Sequence, residues 1–463
     1  MPNRQANMFL KGSMGLTYAK IAFPIILVMA MNGMLSISDA LFLGHYVGPE
    51  ALAAVTLMFP IYMLIVALAT LVTSGMTSLL ARQLGGSRFE EARATFAGAH
   101  GLGLLLAGLI IAVFAQFGWQ VSTIAAAGSE KLAELGYIYL QITALMSSLL
   151  ILLAINTDAL RCEGRVSFMA AMNLLASIAN IGFNYVLIAH LHLGVAGSAF
   201  GTALAQALAL AIIAVFRVRG TTALPITSLR QHSLFRSWKQ MLALGAPQSL
   251  NFIGFSLGSA MIIAALQIVE AANYDNSVAA YGIITRVLTF AYMPLLGLSQ
   301  AMQTITGNNY GAALWARSNG SLRFALFASF FYCCMVQAVV VLFPAEIGKA
   351  FVADTVTISE IARILPIMSL FFWISGPLMM IAMHFQAIGD ARRAGLLGLA
   401  KPYLFAIPFT LGLALAFGEV GIWLAGPAAD ISLLVLTGIV LAGLAKKTTL
   451  RWGLFETSID RTT

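Results

Sequence analysis

The sequence predicts an all-α polytopic membrane protein, with twelve transmembrane helices in two parallel-repeat six-helix lobes around a central cavity. Three observations lead there. Composition is the first: of 463 residues, 60% are hydrophobic and only 10% charged, and the mean hydropathy is +0.89. Soluble chains run nearer about 45–50% apolar and about 25% charged, so a secreted disulfide domain, a cytosolic enzyme and a disordered chain are excluded. The second is the recurrence of apolar stretches long enough to cross a hydrocarbon layer of about 30 Å, which takes about 20 residues of helix. The third is that landmarks of the first half recur, in order, in the second.

The apolar runs fall near residues 17–44, 52–80, 95–119, 133–159, 167–189 and 194–216, then near 240–269, 277–305, 321–345, 357–386, 393–416 and 420–445. The first begins after Arg4, Lys11 and Lys20, as a signal peptide would, but it is too long for one and carries Asp39, so it is read as a retained span. Basic residues cluster at the chain start, between even and odd spans, and in the tail; Arg392, Arg393 and Lys401 are counted together at the start of span eleven. Lys131, Lys349 and Arg363 are the exceptions on the other side, and Arg286 falls inside a span. Positive charge collects on the cytoplasmic side, so both termini are expected inside the cell, in the plasma (inner) membrane. The net charge of +8 is spread among these loops rather than gathered in a patch, so no nucleic-acid partner is expected.

Ala53 and Ala279, Gly85 and Gly311, Gly164 and Gly389, Gly197 and Gly421, and Pro24 and Pro247 pair at nearly one offset. Such a recurrence argues for duplication, and six spans per copy make the copies insert with the same orientation. The division is then a lobe over 1–216, a cytoplasmic joining loop over 217–239 and a second lobe over 240–463. The spacings Gly197–Gly201 and Gly254–Gly258 allow helices to approach closely.

Charge inside a membrane is expensive and needs a reason. Asp39 lies five residues before Gly44, about 8 Å short of the outer end of span one at 1.5 Å per residue. Asn32, Ser36 and Asp39 share one helix face, which must look inward. On span five Asn173, Asn180 and Asn184 share a face, and on span six Thr202 and Gln206 do. Asp39, Asn180, Asn184 and Thr202 fall at similar depth, a set of oxygen and amide groups suited to a proton or a small hard cation such as sodium. The alternative is a permanently protonated carboxyl among interhelical hydrogen bonds. The second half lacks an acid at the matching place in span seven; its buried-charge candidates are Asp430 and Arg286, while Asp158 pairs with nearby Arg161.

Met58, Met63, Met293, Met302, Met379, Met380 and Met383 suit flexible apolar recognition but read first as core. Cys162 and the vicinal Cys333–Cys334 make no disulfide framework or zinc spacing, and the vicinal pair reads as lipid-facing. His190 and His192 sit on an outer loop, and no metal site is assigned. No metalloprotease, nucleophile-elbow or phosphate-loop motif occurs in a suitable place, so the chain is not expected to be an enzyme or to hold a cofactor.

The stretch from Asp39 through Gly44, Gly48, Ala51–Ala54 and Pro60 resembles the span 1–2 signature of the multidrug and toxic compound extrusion (MATE) family. Ala279–Arg286, Met293–Pro294, Gly297, Gln300 and Gly307–Gly311 resemble its span 7–8 counterpart, and Leu160–Gly164 with Asn180, Asn184, Gly194, Gly197 and Thr202 its span 4–6 pattern. The resemblance covers essentially the whole chain. It implies a secondary active exporter that exchanges small cationic or amphipathic drugs for protons by rocking alternating access. Sodium coupling is the nearest alternative, and a lipid-linked oligosaccharide flippase of the same superfamily the next. Span seven offers Gln248 and Asn251 and span ten His384 where one branch of the family carries acids. The pattern instead is similar to the prokaryotic branch of the DNA-damage-inducible F protein, which implies Asp39 as coupling residue with Asn180, Asn184 and Thr202 beside it. Pro24 matches the proline at which the first span bends. Asn32, Ser36, Asn156 and Gln206 are expected to face cargo, and the chain to work as a monomer.

Overall fold

The computed structural model describes residues 8–126, 129–219, 222–269, 274–448 and 450–455. Among these, the chain is built from helices, with a single isolated bridge between Arg451 and Phe455. The first half holds α1 (Met14–Phe42), α2 (Pro49–Gly85), α3 (Phe89–Ala125), α4 (Glu130–Leu145), α5 (Ser147–Cys162), α6 (Val166–Asn184), α7 (Gly194–Val218) and the short α8 (Ser228–Gln231). The second holds α9 (Trp238–Ile268), α10 (Tyr274–Gly311), α11 (Trp315–Leu342), α12 (Pro344–Phe351), α13 (Thr355–Met368), α14 (Phe372–Ile388), α15 (Ala391–Leu399) and α16 (Ile407–Lys447). Three π-helical turns extend or join them: Leu43–Val47 after α1, Tyr185–His190 after α6, and Ala400–Ala406 between α15 and α16.

Local chemistry sets several of the ends. Pro49 opens α2 and Pro344 opens α12, where the missing N–H costs nothing. Asp354 caps α13 by accepting from the Thr357 backbone N–H at 2.8 Å. The Thr357 hydroxyl and that N–H hold the exposed Asp354 carboxyl below the usual carboxylate range.

Nine helices among the described residues are long and apolar enough to cross a membrane, and the bent pairs α4–α5 (47°) and α13–α14 (49°) bring the number to eleven. The longest stretch, Ala391–Lys447, is broken by Gly418 at φ 63, ψ −145, a conformation no helix contains. Counting its two sides separately gives the expected twelve.

The duplication is written in the backbone as well. The two bent spans are the fourth and the tenth, and their bends of 47° and 49° nearly match. Gly164 (φ 80) and Gly389 (φ 91) end those spans in the left-handed region, as do Gly194 (φ 59) and Gly418 (φ 63) at the entry to the sixth and twelfth. Ser87 and Ala313 both sit at φ 56 after the second and eighth. Of the glycine pairs that recur in the sequence, Gly164 and Gly389 mark where the chain takes a positive φ, while Gly85, Gly311, Gly197 and Gly421 lie in helices.

By internal contacts the chain forms two compact units. Unit 1 comprises Met1–Lys11 and Phe23–Ser249, and unit 2 comprises Gly12–Ala22 and Leu250–Thr463. The sequence division at 239/240 therefore differs from the contact division in two places, because the opening turns of α1 and α9 each pack in the other half's unit. In unit 1, an added Cβ at Gly245 would lie 1.8 Å from the Leu71 carbonyl oxygen, so α9 meets the α2 backbone directly. Ser74 donates to Gln248 at 2.5 Å and Ser249 to the Ala67 carbonyl at 2.7 Å. In unit 2, Tyr18 donates to the Ser321 carbonyl at 3.0 Å and its ring lies 4.5 Å from that of Phe324. Pro24 and Pro247 both lie within three residues of these crossings, where a missing N–H weakens the helix and lets it bend.

Some expectations change. Cys333 is not lipid-facing: it is wholly buried in unit 2 with Ala291, Leu295 and Phe372. Met58, Met302, Met380 and Met383 are core residues. Of the small-residue spacings, Gly197 and Gly201 press against Leu187 and Asn184, and Gly254 meets Pro402, while Gly258 faces open space.

Candidate functional site

In unit 1 the C-terminal end of α1, the end of α6 and the first turns of α7 converge. α6 and α7 pack along one another, and the close approach follows from glycine: a Cβ on Gly201 would fall 2.1 Å from Asn184 Oδ1. That approach lets Asn184, buried at 0% exposure, donate its amide N–H to Asp39 Oδ1 at 2.6 Å. Asn184 Nδ2 also lies 3.1 Å from Asn180 Oδ1, and Asn180 Nδ2 donates to Thr202 Oγ1 at 2.9 Å. Thr202 completes the chain by donating to the Ser198 carbonyl at 3.2 Å. All four residues singled out from sequence therefore form one hydrogen-bonded cluster.

The Asn180 amide can also be turned over. Its nitrogen then donates to Asp39 Oδ1 at 3.0 Å, and its oxygen accepts from the Thr202 hydroxyl at 2.9 Å and the Thr202 N–H at 3.2 Å. This brings the Asn180 and Asn184 nitrogens within 3.1 Å of one another, an arrangement favoured only while the carboxylate between them is charged. In the first orientation, Asn180 Oδ1 instead faces Asp39 Oδ1 at that same 3.0 Å, the distance at which a protonated carboxyl donates to a carbonyl. Asn184 Oδ1 is buried with no hydrogen-bond partner.

The other expected positions lie elsewhere. Asn32 is exposed on α1, and the Ser36 side chain lies outside the described residues. Gln206 lies one turn past Thr202 on α7, half-buried. Asn173 bonds to the Met169 carbonyl of its own helix at 2.9 Å. Asn156, expected to face cargo, is buried and hydrogen-bonded within unit 1. Its Oδ1 accepts from Arg217 Nε at 2.8 Å, and its Nδ2 contacts His100 Nε2 at 3.1 Å and the Leu152 carbonyl at 2.9 Å. Arg217 and Glu163, with side chains 1% and 3% exposed, pair at 3.2 Å, and Glu163 also holds Thr222 and the Leu224 N–H. A buried ion pair must satisfy its remaining groups in this way, and doing so leaves Asn156 no free atom.

Sequence reasoning missed three participants. Gly201 seats Asn184, and its signal was present as a close-packing glycine. Tyr62 of α2 and Tyr139 of α4 lie within electrostatic reach of Asp39; as single tyrosines on amphipathic helices they carried no signal. In unit 2, Lys401, counted from sequence with the inner basic residues, lies on the π-helical turn before α16 and pairs with Asp430 at 2.5 Å. Arg286 is exposed on α10. Asp158 pairs with Arg161 at 2.9 Å. Among the described residues, no group of three or more His, Cys, Asp or Glu side chains could hold a metal ion.

The MatE family model matches residues 24–186 and again residues 247–412. The two matches begin at Pro24 and Pro247, so the duplication appears there too. Among curated proteins, the probable multidrug resistance protein YoeA of Bacillus subtilis is 22% identical over 428 residues, covering 90% of this chain and 91% of YoeA. The multidrug export protein MepA of Staphylococcus haemolyticus is 24% identical, covering 89% and 91%. A FAD transporter of Shewanella oneidensis is 22% identical, covering 91% of each chain. Among solved structures, an outward-facing multidrug resistance MATE family transporter of the MOP superfamily superimposes with a TM-score of 0.85 at 23% identity, over 96% of this chain and 99% of that one. A MOP superfamily transporter from Pyrococcus furiosus matches to the same extent. With a family model matching most of its length, the chain belongs to the MatE family of multidrug and toxic compound extrusion transporters, and it is a transporter, not an enzyme.

Proposed function

We propose that the protein exports small cationic or amphipathic compounds across the plasma membrane by proton antiport, with Asp39 as the group that changes charge. Alternating access exposes unit 1 to each side in turn, and both termini remain in the cytoplasm, where the basic loops lie. Ionised Asp39 attracts a cation entering from the cytoplasm; protonation from outside removes the charge and releases the cargo. The protein acts as a monomer, with no cofactor and no nucleic-acid partner.

The observation that supports a proton is that the amide network suits both states of the carboxyl. With Asp39 ionised, the Asn180 and Asn184 nitrogens both donate to Oδ1. With Asp39 protonated, its O–H donates to Asn180 Oδ1, Asn180 Nδ2 donates to Thr202, and Thr202 donates to Ser198. One amide turn converts the patterns, presenting Asp39 with an N–H donor when it is charged and a carbonyl acceptor when it is protonated, at the cost of the Asn184–Asn180 bond in the charged state. The sodium reading has one observation in its favour: Asn184 Oδ1 is unpartnered, and turned toward Asp39 it would add an oxygen ligand.

The test is ion movement in proteoliposomes on adding a cationic dye, under a pH gradient and then a sodium gradient. Collapse of the pH gradient by the wild type, lost in Asp39→Asn, is the expected result. A response to sodium alone would move the site to cation coordination by Asp39, Asn180, Asn184 and Thr202.

A further inference from the structure

Unit 2 contains a polar cluster that the coupling scheme does not use. Asp430 lies on α16 twelve residues past the break at Gly418, and Lys401 ten residues past Ala391. At 1.5 Å per residue both sit about 15–18 Å along their spans, near the middle of a hydrocarbon layer about 30 Å thick. Lys401 Nζ pairs with Asp430 Oδ1 at 2.5 Å, within electrostatic reach of Tyr292 of α10, while Ser375 of α14 donates to the same Asp430 oxygen at 3.0 Å.

The two charges are unequally covered. The Asp430 side chain is 8% exposed and that of Lys401 is 30% exposed. A lysine head at mid-span facing lipid tails would be far costlier than one facing water, so its open side must border a wet space. Phe405 and Leu433, four and three residues past Lys401 and Asp430, pack with Phe371 and Leu378 in one apolar, partly aromatic cluster. The backbone carries a second mark. Lys401 sits in a π-helical turn with Pro402, and the other two π-helical turns follow Asp39 and Asn184 within a turn. Single π turns inside longer helices concentrate at functional sites. In each unit they border a polar cluster.

We propose that the Lys401–Asp430 pair is a ligand site in unit 2 for amphipathic zwitterions, with the ligand's carboxylate taken by Lys401. Lys401 is the more open side chain of the two, so an incoming molecule meets the lysine first. The pair is neutral as a whole, and a simple anion or cation docking there would leave net charge in a region of low dielectric. A molecule carrying both charges leaves none: its carboxylate takes Nζ, its cationic end takes the share of Asp430 that Lys401 releases, and Ser375 keeps its hydrogen bond. Its aromatic body lies on the Phe371 and Phe405 side. The inference rests on the exporter reading only for the amphipathic character of the cargo.

Rhodamine B, which carries a carboxylate and a cationic chromophore, and its ethyl ester, which has the chromophore charge alone, separate the contributions. Fluorescence anisotropy with the full-length protein in nanodiscs, without any ion gradient, reads their dissociation constants apart from coupling. Lys401→Met should weaken rhodamine B about tenfold, the loss of one charge-assisted hydrogen bond, and leave the ester within about twofold. Lys401→Arg should restore rhodamine B. Because Lys401→Met leaves Asp430 without its cation, the paired change Lys401→Met with Asp430→Leu serves as the folding control and should show the same selective loss. Equal weakening of both dyes, or no weakening of rhodamine B in either variant, overturns the proposal. Failure of proton coupling in the liposome experiment would leave this result untouched, and the reverse also holds.

Discussion

Asp39 in unit 1 and Asp430 in unit 2 are both aspartates on membrane-spanning helices, and their surroundings answer them in opposite ways. Asp39 meets only neutral partners, the Asn184 and Asn180 amides. Asp430 meets a cation, Lys401, and the hydroxyl of Ser375. Amides can serve a carboxylate by donating and a carboxylic acid by accepting, so the charge at Asp39 can change without breaking the cluster. An ammonium has no acceptor, so Asp430 must remain charged for its pair to hold. Arg217 and Glu163 carry the second arrangement to its limit: both are buried, with almost every polar atom engaged. Neutral partners make an acid a working group, and a charged partner makes it an anchor or a docking point.

The contrast can be broken by substitution. Asp39→Asn should produce the largest functional effect, abolishing dye-driven proton movement in liposomes. It should cost at most about 1 kcal/mol of stability, because an amide can replace one neutral-partnered carboxyl. Asp430→Asn should do the reverse to the fold. Leaving Lys401 unanswered is expected to cost about 2–4 kcal/mol, somewhat below the toll for a fully buried pair because the lysine is partly exposed. Thermal unfolding of the two variants in one detergent compares them directly, and a larger loss for Asp39→Asn would refute the distinction.

Gly201→Ala comes next. Its methyl group would meet Asn184 Oδ1 at 2.1 Å, pushing the amide off Asp39 at an overpacking cost of about 1–3 kcal/mol. Proton-coupled efflux should fall while Asp39 itself is intact, so an unchanged rate would mean that Asn184 does not serve the carboxyl. Asn156→Ala should lower the melting temperature by leaving Arg217 with unmatched donors, at about 1.5–3 kcal/mol. Transport per folded molecule should not change, which separates a structural asparagine from the two beside Asp39. Thr202→Val is the mildest, removing the hydroxyl's two neutral hydrogen bonds, to Asn180 and to the Ser198 carbonyl, at about 1–2 kcal/mol and slowing efflux roughly three- to fivefold. Its effect should vanish in an Asp39→Asn background, as expected for residues of one network.

Much of the Asp39 cluster could be read from spacing. Asn180 and Asn184 are one helical turn apart, and depth counted in residues put Thr202 and Asp39 level with them. Lys401 was misread for a related reason. It follows Arg392 and Arg393 closely in the chain, and residue counting cannot tell that a π-helical turn carries it to Asp430. Asn156 looked like a cavity amide because helix position says which face a residue occupies but not what the facing helix brings. Cys333 looked lipid-facing because its span is apolar all round, and only packing chooses the buried side.

The sequence by itself determined the number of spans, their duplication and the rarity of intramembrane charge, because the bilayer imposes length and polarity on every segment separately. Gly164 and Gly389 were legible among the recurring glycines, since a positive φ is a local demand. The tertiary structure alone decided which polar groups meet. It also decided that the opening turns of α1 and α9 pack in the unit of the other half. Both outcomes depend on contacts between residues far apart in the chain: backbones drawn together at Gly201 and Gly245, and hydrogen-bond partners supplied by whichever helix packs alongside. No single span carries that information.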